Sequence, residues 1–113
     1  MRLFEAGKLD EAIPALQTAR MDPKNKARCD MYLGRAFFKK ALYEQALDIL
    51  GEALKSHEIA DDEVGKELLY WRARSEEAAG KTAVARNSYG QMLRMDYNYR
   101  DVLARLENLP ASQ

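Results

Sequence analysis

A chain that performs covalent chemistry needs nucleophiles, bases or metal ligands at usable spacing, and this one carries few. Its single histidine, His57, stands in the polar stretch SHEIADDEVG at 56–65. An imidazole could serve as a base or a ligand, but both roles need partners at ligand spacing, and none accompanies it. It reads as a solvated loop residue. The acidic cluster Glu58, Asp61, Asp62 and Glu63 lacks the alternating ligands, central glycine and closing glutamate of a calcium loop. Asp61 or Asp62 is better suited to cap a following helix, with Glu63 at that helix's positive end. Cys29 sits near a helix start, where a thiolate is favoured, but it precedes packing positions and reads as a small buried thiol. The sequence contains no glycine-rich phosphate loop, nucleophile elbow or metal-binding pair. The expectation is a non-enzyme with no catalytic residue, cofactor or metal.

Composition narrows the rest. The 113 residues carry 18 lysines and arginines against 18 aspartates and glutamates. A neutral chain lacks the basic field that displaces counterions from nucleic acid, so no nucleic-acid partner is expected. Charge varies mildly along it: residues 1–40 hold 9 basic and 5 acidic side chains, 41–80 hold 4 and 10, and 81–113 hold 5 and 3. A lone cysteine forms no intrachain disulfide and suits a reducing compartment. There is no apolar run of membrane-spanning length, and MRLFEAGKLDEA is not a signal peptide. One soluble, cytoplasmic domain without membrane contact is expected, unless a signal or anchor lies outside this segment.

The elements that position its surface follow from a repetition. AGKLDEA at 6–12 returns as AGKTAVA at 79–85, and KALYEQA at 40–46 supplies a middle copy. Ala12 and Ala46 are 34 apart, as are Leu9 and Tyr43, Leu16 and Leu50, and Ala19 and Ala53. Ala46 and Ala85 are 39 apart, an insertion of five. A 34-residue period marks helix–turn–helix units that need neighbours to bury their apolar faces. From Cys29 to Lys55 the apolar residues Leu33, Phe37, Ala46, Leu50 and Ala53 recur at helical spacing, and no stretch alternates as a strand would. Gly7 and Gly80 stand where a helix ends in a left-handed residue. Ala41 holds that place in the middle copy and predicts a strained turn, costing about 1 kcal/mol. Asp10 is expected to cap the next helix, with Pro14 in its first turn.

The units resemble the tetratricopeptide repeat (TPR) family. The middle one shows Leu33-Gly34, Phe37, Ala46 and Leu50, with Asp30 in place of the first aromatic. The third shows Ala73, Ala85 and Tyr89, with Tyr97 where the family prefers proline; the first keeps Leu3, Ala12, Leu16 and Pro23. The resemblance covers about 1–98 and implies an all-α, right-handed α-solenoid of stacked antiparallel hairpins. Its units would span about 1–25, 27–58 and 62–96, the first truncated. YNYRDVLARLENL at 97–109 is expected to form a capping helix, with Tyr99, Val102, Leu103, Leu106 and Leu109 inward and Arg100, Asp101, Arg105 and Glu107 outward.

In that family the first helices of successive units line a groove for a peptide or helix. The frame places Met31, Tyr32, Arg35, Phe38 and Lys39 there from the middle unit, and Glu67, Tyr70, Trp71, Arg74 and Glu77 from the third. Arg35 and Arg74 would grip a carboxylate, while Tyr70 and Trp71 would anchor an apolar side chain or lie in the core. Tyr32, Glu67 and Trp71 stand where the family's chaperone-tail clamp has asparagine, lysine and arginine, so that specificity is not implied. The expectation is a protein-interaction scaffold module, part of a larger protein, with a protein or peptide partner. The alternative is a structural segment forming a homodimer through an open N-terminal edge at Leu3, Phe4, Leu9 and Ile13.

Overall fold

The computed structural model describes residues 8–56 and 62–110. Within them the chain is all-helical: α1 (Leu9–Ala19), α2 (Lys26–Lys39), α3 (Tyr43–Ser56), α4 (Glu63–Ala78), α5 (Thr82–Met95) and α6 (Val102–Asn108). Each helix packs on the next in sequence, and α2 also lies directly against α4.

The helix ends show why the repeated phrase matters. At the end of α4 the N–H of Gly80 donates to the Glu77 carbonyl at 3.1 Å, and that of Lys81 to the Glu76 carbonyl at 2.9 Å. At the end of α2, Ala41 donates to Phe38 at 2.9 Å and Leu42 to Phe37 at 2.8 Å. Both are the paired bonds that close a helix through a left-handed residue, with φ of 82° at Gly80 and 63° at Ala41. The alanine carries a Cβ that this conformation disfavours, as its position predicted. Gly7 lies outside the described residues.

The hairpins close around small residues. A Cβ on Gly34 would come within 2.4 Å of the Leu50 side chain, so this glycine sets how closely α2 approaches α3. Ala46, Leu50 and Ala53 are fully buried along one face of α3, and Ala85, Tyr89 and Met92 along α5. One apolar cluster runs from Met31 through Trp71 to Leu109; a smaller one joins Leu16, Cys29 and Leu33 beneath α1. Asp30, wholly buried in the place of an aromatic, is bonded by Arg20 and by Lys26, the latter at 2.9 Å. The Arg20 bonds tie the end of α1 to α2, while the Lys26 bond lies within α2.

Four expectations are refined. Asp62 does cap α4, accepting from the Gly65 N–H at 2.7 Å, whereas Asp10 caps nothing. Because α1 begins at Leu9, Asp10 is already helical, and its carboxylate bonds Lys40 beside the α2–α3 turn. Pro14 is consequently the sixth residue of α1, not in its first turn, and removes one internal hydrogen bond. The capping helix is shorter than expected: 96–101 form a turn with Arg100 at φ 43°, and only Val102–Asn108 are helical. Of the expected open edge, Ile13 is half-buried on the Leu16–Cys29–Leu33 cluster, and Leu3 and Phe4 lie outside the described residues, as do His57, Glu58 and Asp61.

The two left-handed turns give a paired test. Gly80 has open space around its missing Cβ, so Gly80→Ala isolates backbone strain and should cost about 1 kcal/mol. Ala41→Gly should stabilise by roughly 0.5–1 kcal/mol, less whatever the more flexible unfolded chain gives back. Thermal melts should move by a few degrees in opposite directions; shifts of the same sign would contradict the assigned strain.

Candidate functional site

Where α2 and α4 lie side by side, arginines and rings from both helices interleave. The Arg35 guanidinium carbon is 5.6 Å from the Tyr32 ring centroid and 5.1 Å from that of Trp71. That of Arg74 is 5.0 Å from Phe38, 5.4 Å from Trp71 and 5.7 Å from Tyr70. Arg100, from the turn before α6, lies 5.1 Å from Tyr70 and 5.5 Å from Tyr99. The rings support one another edge to face, Phe38 on Trp71 at 5.5 Å and Trp71 on Tyr70 at 5.1 Å. Each contact between a cation and a ring face contributes about 0.5–2 kcal/mol, more as water is excluded.

Of the residues expected in the groove, Tyr32, Arg35, Phe38, Tyr70, Trp71 and Arg74 come together in this network. Lys39 is exposed at the last residue of α2, and Met31 belongs to the core. Tyr70 and Trp71 are only 3% and 7% exposed. They offer little free ring to an incoming side chain and serve as the bed on which the arginines rest.

The carboxylates of this face are already engaged. Glu67 accepts from Arg100 at 2.6 Å and from the Trp71 indole at 3.2 Å. Glu77 accepts from the Tyr89 hydroxyl at 2.7 Å and from Arg105 at 3.3 Å. Asp101 accepts from the Tyr70 hydroxyl at 2.7 Å and from Arg105 at 3.0 Å. Burial works to raise the pKa of Asp101, but the Tyr70 hydroxyl and Arg105 outweigh it and hold it below the ordinary aspartate value. Burial and the neighbouring Glu77 push the Tyr89 phenol up. Arg100, Asp101 and Arg105 were expected to face solvent on a continuous helix. Arg100 and Asp101 are indeed exposed, but all three side chains also bond residues of α4. No residue in YNYRD announces the left-handed turn at Arg100, and their distance of roughly one unit from Glu67, Tyr70 and Glu77 was the available signal.

Chemically, guanidinium groups held over rings in this way are suited to an anion. Among the described residues no group of three or more His, Cys, Asp and Glu side chains could hold a metal. Burial raises the Cys29 pKa, favouring the unreactive thiol. Two cavities, of about 210 Å³ by Asp30 and Ala53 and about 280 Å³ by Asp10 and Lys40, lie off this face and fall short of the size of most ligand pockets. No described helix is long and apolar enough to cross a membrane. No protein-family model matches the chain, and no curated protein matches it either.

The Asp101 bonds predict a pH signature. Because its folded pKa lies below the 3.8 of a free aspartate, its stabilisation is present above that value and is lost as pH falls through the folded pKa. Asp101→Asn lacks this contribution. The gap in melting temperature between parent and variant should persist from neutral pH down to the carboxylate range, then narrow below pH 3.8. A gap independent of pH would show that the carboxylate's charge contributes nothing.

Proposed function

We propose that this chain is a TPR-type interaction module, a right-handed solenoid of stacked hairpins that holds a peptide or helix of a partner protein across α2 and α4, as part of a larger scaffold. The observation that carries the reading is the arginine–aromatic network: Arg35 and Arg74, both half-buried, are held over rings supplied by two adjacent helices. Guanidinium groups fixed in this way lose little freedom on binding, which favours affinity. The hairpin turns at Ala41 and Gly80 and the packing of α2 on α4 support the solenoid assignment. The role assigned is binding rather than turnover.

Selection from a phage-displayed peptide library tests the reading, with Arg35→Glu/Arg74→Glu as the control protein. Peptides should enrich on the parent and fail on the double variant, whose fold is checked by circular dichroism. Enrichment of the same peptides on both proteins, or of none on the parent, would overturn it.

A further inference from the structure

If this face holds a partner, the next question is which group of the partner it recognises, and the partnering of its charges bears on that. The network carries Arg35, Arg74, Arg100 and Arg105, with Glu67, Glu77 and Asp101 bonded to it, in a chain whose net charge is zero. Each of those carboxylates is engaged by Arg100 or Arg105. Arg74 differs. It has no carboxylate partner among the described residues, and its one hydrogen bond there is from Nη1 to the Tyr70 hydroxyl at 3.1 Å. That hydroxyl is itself held by Asp101, which fixes where Arg74 can point. A guanidinium has five N–H donors, so most of those on Arg74 have no protein acceptor among the described residues.

The two rings at the centre of the face offer little to the alternative, apolar mode of recognition. Tyr70 and Trp71 are buried beneath the arginines, so an apolar side chain laid on this face would meet guanidinium edges before it met aromatic carbon.

Resting on the peptide-binding reading above, we propose that Arg74 is the recognition point for one oxyanion of the partner peptide, with Phe38, Tyr70 and Trp71 positioning its guanidinium without contacting the ligand. The oxyanion is a carboxylate, from an acidic side chain or a chain terminus, or a phosphorylated side chain; a guanidinium grips each through paired N–H donors. Arg100 and Arg105 act at one remove by neutralising Glu67 and Glu77, which would otherwise repel that anion.

The test uses the full chain and four synthetic peptide libraries. Three carry, respectively, a fixed internal glutamate with an amidated terminus, a free terminal carboxylate without acidic side chains, and a fixed phosphoserine with an amidated terminus. The fourth is amidated and acid-free. Binding is read on arrays and by the emission of Trp71, the sole tryptophan. At least one oxyanion library should bind and perturb that emission while the acid-free library does not, and the library that binds identifies the source. For the selected peptide, Arg74→Gln should weaken binding about tenfold or more, the loss expected on removing a charge-assisted hydrogen bond. Arg74→Lys should restore part of it, and replacing the peptide's glutamate by glutamine should reproduce the loss without altering the protein. Acid-free peptides binding as well as acidic ones, or unchanged affinity in Arg74→Gln, would overturn the assignment of Arg74 while leaving the peptide-binding reading intact. No binding from any library, with Trp71 emission unmoved, would overturn both.

Discussion

The indole of Trp71, carried by α4 and packed against Phe38 of α2, joins the two central hairpins, and the surface above them depends on it. Both Arg35 and Arg74 rest within 5.4 Å of its ring centroid, and its N–H holds Glu67. Removing an aromatic of this size from a core costs about 3–5 kcal/mol, a large part of the roughly 5–15 kcal/mol that keeps a domain folded. The residue that joins the hairpins thus also fixes the positions of two cations. Stability and surface chemistry are coupled here through one side chain.

The C-terminal segment contributes to both as well. Val102 and Leu109 close the end of the apolar cluster, while Arg100 and Arg105 reach back to the acidic residues of α4. Arg100 holds a left-handed backbone that costs an L-residue about 1–2 kcal/mol. Its bond to Glu67 and its contacts with Tyr70 and Tyr99 compensate. The C-terminal segment therefore does more than close the apolar cluster: it changes the charge that α4 presents.

Much of the helical framework was legible in the residues. The return of AGK and KAL at intervals of 34 and 39 marked both hairpin turns, down to the strained Ala41, because helix ends demand a particular backbone conformation that glycine signals. Ala46, Leu50 and Ala53 showed their buried face through spacing alone, and the pair Asp61 and Asp62 announced the cap that Asp62 supplies. Less legible was whatever depends on two elements meeting. Periodicity places Tyr70 and Trp71 on a face of α4 but does not say that α2 covers them. Asp10 looked like a cap because a shift of two residues in the start of α1, which begins at Leu9 with Lys8 at its N-cap, is invisible to pattern. Arg100, Asp101 and Arg105 read as solvated charges because nothing in YNYRD specifies a left-handed arginine.

The most direct test of the account is the NMR signature of the arginine side chains, with Arg35→Lys and Arg74→Lys used to assign their Nε–H resonances. Guanidinium groups held over aromatic faces experience ring currents, so both resonances should be displaced upfield from those of exposed arginines and should exchange slowly with water. Resonances at the position of free arginine, with rapid exchange, would mean that the cations move in solvent, and the ordered face at the centre of this account would not exist.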